Sequence, residues 1–293
     1  MQSDIERSII KTYRKDIWRK FTKAVTEYNL IKDGDKIAVC ISGGKDSFLL
    51  AKCMQEIKKH GKIKFELEFI VMDPGYSDKN IEIVKKNAEL LGVPIKVYNS
   101  NIFESLKNMD LKSPCYMCAS FASVEVIGHK SPCYMCARMR RGHLYKIAKD
   151  LGCNKMALGH HYNDVIETIL LGMFYNGEIV SMLPKIKSKN FSGMELIRPM
   201  YLIREDDIKA WRDEHELTFL QCACKFTEEN QDAHDEENAS KRLEIKQLIK
   251  DLKKVNPFVE GNIFKSVENV NLKTIVAYKD DEGKHLFLEH YDD

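Results

Sequence analysis

The apolar positions of this chain change rhythm several times. Over residues 4–29, Ile5, Ile9, Ile10, Ile17, Trp18, Phe21, Val25 and Tyr28 recur at roughly helical spacing between Arg and Lys. That predicts a helix or helix pair with a basic outer side. KIAVCIS (36–42) is then a short unbroken apolar run, the pattern of a strand buried on both faces. FLLAKCMQEIKKHG follows as a helix turning Phe48, Leu49, Ala51, Cys53 and Ile57 inward, with Gly61 past its end. Strand and helix periods keep alternating: strand 65–73, helix 79–91, strand 95–99, helix 139–151, strand 155–160 and helix 164–175. This order predicts an α/β fold, a parallel sheet with helices on both faces. Beyond about residue 205 the rhythm breaks into helix 205–216, an acidic stretch at 228–238, helix 239–254 and two short strands, 274–280 and 284–291, with Asp280–Gly283 at their turn. The expected organisation is a helical element at 1–33, an α/β core at 34–215 and a C-terminal appendage at 216–293.

Composition narrows the function classes. With 44% hydrophobic and 31% charged residues in 293, wholesale disorder is excluded. The balance of 46 Lys and Arg against 44 Asp and Glu carries no global nucleic-acid signature, but it leaves room for a local basic face. Segment 138–155 is such a face, holding Arg138, Arg140, Arg141, Lys146, Lys149 and Lys155 against Asp150; Lys185, Lys187 and Lys189 form a second. Tyr145, Phe174, Tyr175 and Phe191 are aromatics on which single-stranded bases could stack, although the core is the preferred place for Phe174 and Tyr175. Arg198 and Arg204 flank the Pro199 turn and could meet phosphate or nearby acids. No apolar run of transmembrane length occurs and the first residues lack an apolar leader, so a cytoplasmic protein without membrane partners is expected.

Candidate chemistry starts where the first strand ends. Ser42-Gly43-Gly44-Lys45-Asp46-Ser47 joins that strand to a helix. Two glycines let the backbone turn tightly and approach a phosphate, and their N–H groups with the helix N-terminus form an anion-binding concavity. Ser42 and Ser47 offer hydroxyls, and Lys45 can cancel phosphate charge. The loop is too short for GxxxxGK[ST] and lacks GxGxxG spacing, so kinase-like and dinucleotide sites are not indicated. Gly159-His160-His161-Tyr162-Asn163-Asp164 also follows a strand and opens a helix. Asp73 ends a third strand, before Pro74-Gly75. All three would lie at the carboxyl edge of the sheet, where open parallel sheets bind ligands. Asp46, Asp73 and Asp164 are the carboxylates available to Mg2+, and the pattern does not choose among them.

The nine cysteines, an odd number, argue against a disulfide framework. KSPCYMCA occurs twice, at 112–119 and 130–137, giving the pairs Cys115/Cys118 and Cys133/Cys136; Cys222/Cys224 is a third close pair. Thiolates so clustered suit iron–sulfur or zinc. Only the second copy runs into RMRRG and a basic helix, so the first reads as a loop insertion, with a second metal site as its alternative. Zinc on Cys133, Cys136, Cys222 and Cys224 is the competing assignment. Cys40, Cys53 and Cys153 lie in apolar contexts and read as buried small hydrophobes.

SGGKDS after an apolar strand, with GHHYND downstream, resembles the PP-loop ATP pyrophosphatases, of adenine nucleotide alpha hydrolase-like fold. The runs SPCYMCARMRRG, ALGHHYNDVIETILLGMFYNGEI and ELIRPMYLIREDDI resemble, within them, the tRNA 2-thiocytidine synthetase (TtcA) family, over about residues 25–225. The resemblance implies an ATP-dependent thiolase that adenylates a cytidine of tRNA and replaces its 2-oxygen with sulfur. It implies ATP, Mg2+ and a [4Fe-4S] cluster as cofactors, a cysteine desulfurase or other sulfur donor, and a homodimer. It places ATP on Ser42, Gly43, Gly44, Asp46 and Ser47, with Asp73, Gly159 and His160 nearby, and chemistry on Asp46, Asp164 and Lys45. The cluster would rest on Cys133, Cys136 and Cys222, with Cys224 as the substitute for the last. Two departures stand out: relatives commonly carry two adjacent acids where this chain has Asn163-Asp164, and one CxxC is surplus. Sulfur transfer to a free base or other small molecule, and a metal- or redox-sensing nucleotide-binding module, are the alternative functions.

Overall fold

A computed structural model describes residues 2–100, 102, 132–220 and 241–291, with backbone only for 2, 132–137 and 290. The chain opens with α1 (Gln2–Ile10), a π-helical turn (Arg14–Trp18) and α2 (Arg19–Glu27), the predicted helix pair. β1 (Lys36–Ile41), α3 (Lys45–His60), β2 (Glu66–Asp73), α4 (Asp78–Leu90) and β3 (Ile95–Asn99) follow close to the predicted bounds, α3 starting three residues early, inside SGGKDS. Then come α5 (Pro132–Asp150), β4 (Lys155–Ala157), α6 (Tyr162–Leu171), β5 (Lys185–Lys187), β6 (Glu195–Ile197) and α7 (Glu205–Glu214). The remainder is α8 (Lys241–Val255), α9 (Val259–Ser266) and the hairpin β7 (Ala277–Lys279) and β8 (Lys284–Leu286). In its turn, Gly283 holds φ at +138° and the Asp280 carboxylate accepts the Glu282 and Gly283 N–H groups.

The sheet runs β3-β2-β1-β4-β6-β5, parallel except for β5, which pairs antiparallel with β6. β5, β6 and α9 were not expected from the pattern: three-residue strands and an eight-residue helix are too short to show a period. The unbroken apolar run of β1 is sorted by the pleat. Ile37, Val39 and Ile41 face a core shared with α1, α2, α3 and α7, while Ala38 and Cys40 face α5 through Tyr145 and Ala148. Phe69 and Val71 of β2 join the first core and Ile70 the second, as in-register parallel pairing requires. A third core packs Val165, Ile166 and Ile169 of α6 against Ile245 and Ile249 of α8 and Phe264 of α9. Cys40, Cys53 and Cys153 are buried free thiols, and burial pushes all three thiols up in pKa.

Two aromatic expectations are corrected. Phe174 and Tyr175 are 57% and 37% exposed. Helix α6 widens into a π-helical turn (Gly172–Asn176), and Glu178 and Val180 fold back so tightly that a Cβ on Gly172 would lie 2.8 Å and 2.7 Å from them. The returning segment therefore covers Gly172, while both rings stay exposed, Tyr175 with its hydroxyl on Glu244 and Lys241 over its ring. Tyr145, conversely, is buried and stacked on Phe191 at 5.1 Å, so it is not available to a base.

Two lysines lie inside. Lys52 joins Glu6 at 2.7 Å and the Leu91 carbonyl at 2.8 Å, tying α1 and the end of α4 to α3. Lys155 opens β4 and donates to the Leu30 carbonyl and the Asp35 carboxylate, both at 2.8 Å. Removing one member of such a buried pair leaves the other charge stranded. Lys155→Met should therefore cost about 3–5 kcal/mol in urea unfolding, and Asp35→Asn in the same chain should recover much of it. An undiminished unfolding midpoint in the single variant would contradict the pairing.

Candidate functional site

The strand order reverses between β1 and β4: the chain goes from β1 to β2 and β3 on one side, then to β4, β6 and β5 on the other. This switch point opens a crevice at the carboxyl edge. SGGKDS leaves β1 there and GHHYND leaves β4 beside it. The two loops touch through Gly159, where a Cβ would stand 3.1 Å from the Asp46 carbonyl carbon and 3.2 Å from the Ser47 nitrogen. Only a glycine admits that approach without displacing backbone.

Within the first loop Gly43 takes φ = +91°, and its carbonyl accepts the Leu220 N–H at 3.2 Å. A Cβ on Gly43 would meet the Leu220 and Val84 side chains at 2.8 Å. Gly44 precedes the first turn of α3, its carbonyl accepting from the Ser47 hydroxyl at 2.8 Å; Ser42 Oγ lies 3.3 Å from Ser47 Oγ. Lys45 Nζ pairs with Asp46 at 3.1 Å and with Glu205, at the start of α7, at 3.2 Å. Burial would lower the Lys45 pKa, but these two carboxylates outweigh it and hold the ammonium above its ordinary value. Burial likewise opposes the charge on Glu205, yet Lys45, Lys246, His161 and Lys209 bring its pKa down to about 2.

Around the second loop, Asp164 Oδ2 accepts the His161 N–H at 2.9 Å and closes the first turn of α6. Its Oδ1 takes Arg242 Nη2 at 2.5 Å, and the same guanidinium reaches Glu167 at 2.5 Å through Nε. Burial disfavours the Asp164 charge, but His161, Arg242, His160 and the His161 N–H together hold its carboxyl well below the usual range. His161 Nε2 lies 3.8 Å from Asp46 Oδ1, linking the two loops. Asn163, one of the two departures, is used by the fold: its Oδ1 accepts the Glu205 N–H at 2.9 Å, so the side chain anchors the start of α7. Asp73 Oδ1 accepts the Gly75 and Tyr76 N–H groups at 2.8 Å and 2.6 Å, which turns the chain away from β2. Arg140 of α5 donates to the Tyr76 hydroxyl at 2.9 Å. Arg204 pairs with Glu260, and Arg198 is buried with Nη1 on the Leu183 carbonyl, so these two arginines face protein groups.

Among the described residues no cluster of three or more His, Cys, Asp or Glu could hold a metal ion. A Mg2+ that keeps its waters and phosphate oxygens needs only one or two carboxylates. Asp46 Oδ1 is buried at the loop and accepts no hydrogen bond among the described residues, so the donor set fits that ion at Asp46. Cys133 and Cys136 fall in the first turn of α5, which begins earlier than its periodicity indicated. Cys115, Cys118, Cys222 and Cys224 lie outside the described residues. The chain nevertheless reaches the loops on both sides of the Cys222 segment, at Leu220 and at Arg242. Glu205 and Arg242 carried no local signal in the sequence beyond an acid opening one helix and a base opening another. Their partners are 160 and 78 residues away.

The fold and these loops define a nucleotide-binding α/β protein of the PP-loop kind: a PP-loop domain family model matches residues 13–234. The tRNA-cytidine(32) 2-sulfurtransferase of Pseudomonas fluorescens is 31% identical over 262 residues, covering 88% of this chain and 84% of that protein. The protein of the same name from Burkholderia multivorans is 31% identical over 261 residues, covering 87% and 70%. The chain belongs to the PP-loop ATP pyrophosphatases and, within them, to the TtcA family of tRNA 2-thiocytidine synthetases. The solved U34-tRNA thiolase NcsA from Methanococcus maripaludis, with its [4Fe-4S] cluster, shares the fold at a TM-score of 0.60 and 21% identity, over 86% of this chain and 79% of that one. No helix among the described residues is long and apolar enough to cross a membrane.

Burial pushes the His160 imidazole down to about 3; Arg198, Arg242 and His161 add to the drop, and Asp164 opposes it. The folded protein thus keeps His160 neutral, while the unfolded chain takes up a proton near pH 6.5. Below that pH the unfolded state binds more protons, so stability falls on acidification from about 6.5 toward 3, by up to about 1.4 kcal/mol per unit. Urea unfolding at pH 7, 6 and 5 should show this slope in the wild type and a flatter one in His160→Gln. Equal slopes would contradict the neutral buried imidazole.

Proposed function

We propose that this chain is an ATP-dependent tRNA thiolase that adenylates a cytidine and replaces its 2-oxygen with sulfur, at the position 32 named in its relatives. The observation that carries this reading is the contact of the SGGKDS and GHHYND loops at Gly159, in a chain alike over 88% of its length to a tRNA-cytidine(32) 2-sulfurtransferase. The cytidine 2-oxygen attacks the α-phosphorus of ATP, and pyrophosphate leaves with the electron pair of the broken P–O bond. A sulfide-level sulfur then adds to C2, and the C2–O bond breaks with its electron pair leaving on AMP.

The amides of Gly43 and Gly44 and the N-terminus of α3 bind phosphate, with the Ser42 and Ser47 hydroxyls. Lys45 offsets phosphate charge and Asp46 presents Oδ1 to Mg2+. Asp73 borders the nucleotide, Gly159 and His160 form the opposing lip, and Asp164 keeps a fixed negative charge behind it. A [4Fe-4S] cluster held by Cys133, Cys136 and Cys222 would supply the sulfur chemistry. The anchoring of Leu220 on Gly43, two residues before Cys222, supports a cluster close to the loop. The same reading divides the chain at 1–33, 34–215 and 216–293, makes it a cytoplasmic homodimer, and gives it a cysteine desulfurase or equivalent sulfur donor.

Mass analysis of tRNA nucleosides from cells lacking the gene tests the whole reading: 2-thiocytidine should disappear. Its persistence, with loss of a thiolated small molecule, would overturn the tRNA assignment. Asp46→Ala and Ser47→Ala should each cut AMP formation by about 100-fold and leave the iron–sulfur absorbance unchanged; full activity of both would reject the loop assignment. After anaerobic reconstitution, Cys115→Ala/Cys118→Ala should retain wild-type iron and sulfide, and Cys133→Ala/Cys136→Ala should lose most of both. The reverse pattern would make the second copy the insertion.

A further inference from the structure

Helix α8 packs on α6, whose first turn lies beside the phosphate loop, and it brings two cations on one face. Arg242 and Lys246 are four residues apart, about one turn, so they are neighbours along the helix. Arg242 is committed: its guanidinium spans Asp164 and Glu167, each at 2.5 Å. Lys246 is not held in this way. Its side chain is 44% exposed, and its ion pair among the described residues is to Glu167 Oε1 at 3.8 Å, on a carboxylate that Arg242 already neutralises.

The position of Lys246 follows from its neighbours. Glu167 lies one turn along α6 from Asp164, and Asp164 is bonded to the His161 N–H. His161 Nε2 in turn stands 3.8 Å from Asp46 of the phosphate loop. Lys246 also helps to keep Glu205 ionised, and Glu205 is bonded to Lys45 of the same loop at 3.2 Å. Glu205 thus pairs with Lys45 of the loop at 3.2 Å and with Lys209 of its own helix at 3.1 Å, while Lys246 of α8 acts on it through space. The loop's own lysine is engaged by Asp46 and Glu205. Of these three ammonium groups Lys246 has the longest ion pair, 3.8 Å against 3.2 Å for Lys45 and 3.1 Å for Lys209, and is the one freest to turn to a polyphosphate.

We propose that Lys246 is a phosphate-binding residue that contacts the polyphosphate of ATP from the wall opposite the loop, with Arg242 as the positioning residue that docks α8 there. The inference rests on the ATP half of the proposed function and is independent of the acceptor. A charge-assisted contact of this kind corresponds to about a tenfold change in affinity.

The test uses the full-length protein and measures binding of a non-hydrolysable ATP analogue, inorganic pyrophosphate, AMP and tRNA by calorimetry or filter retention. Lys246→Ala should weaken the ATP analogue and pyrophosphate by about tenfold and leave AMP and tRNA binding and the thermal midpoint unchanged. Lys246→Arg should restore most of the loss, and the exposed Lys250→Ala on the same helix should show none. Unchanged analogue binding in Lys246→Ala, an equal loss for AMP, or a loss of tRNA binding alone would each overturn the proposal. Failure of the wild type to bind the ATP analogue would instead sink the ATP-dependent reading on which it rests.

Discussion

The approach of Gly159 to the backbone of Asp46 and Ser47 is the constraint on which the site depends. Two loops that leave neighbouring parallel strands approach so closely that a Cβ on Gly159 would stand 3.1–3.2 Å from the Asp46 and Ser47 backbone, so any larger residue would push that backbone aside. The contact places the start of α6 against the start of α3, so that two helix N-termini open on one crevice. His161, Asp164 and Asp46 meet as a consequence, and the positive helix ends favour negative charge there. A phosphate and the carboxylates compete for the same field, and Asp46, Asp164, Glu167 and Glu205 each have a cation beside them.

That charge pattern is a connected set of ion pairs. Lys45, Asp46 and Glu205 form one group, and Arg242, Asp164 and Glu167 form the other, with His161 between them. Partial burial strengthens each pair and penalises any charge left alone. The arrangement ties α7 and α8, which lie far along the chain, to the loop after β1. It also accounts for Asn163: the start of α7 needs a hydrogen-bond acceptor, and the asparagine oxygen meets that need without a further negative charge in a region already rich in carboxylates.

The α5 side of the sheet shows how packing redistributes surface features. Of the basic residues of segment 138–155, Arg138, Lys146 and Lys149 are exposed and Lys155 is buried. Arg140 is turned to Tyr76, and Tyr145 is buried against Phe191. Of the aromatics weighed for stacking, Phe174 and Tyr175 are the exposed ones, on the π-helical turn after α6, where the helix loses its regular register and the next segment covers its glycine. A widened turn of this type changes which residues face inward without changing the order of apolar letters.

Local order was legible in the residues themselves. The unbroken apolar run of β1, the alternation of strand and helix, and the glycines before α3 each express a short-range rule of sterics or periodicity. Those rules act over a few residues, which is why β1 to β3, α3 and both loops fell where the pattern put them. The partners of Lys45, Asp164 and Asn163 were not legible, because Glu205 and Arg242 are adjacent to them only after the sheet order is set. β5, β6 and α9 were missed for a related reason, since elements so short take their conformation from the neighbours they pair with or pack against. The chain's own letters thus specified the α/β alternation and the phosphate loop. Which carboxylate keeps an open oxygen, which cation is already engaged and which aromatic faces water were decided by long-range packing, because burial and pairing depend on residues far apart in the chain, 160 positions for Lys45 and Glu205.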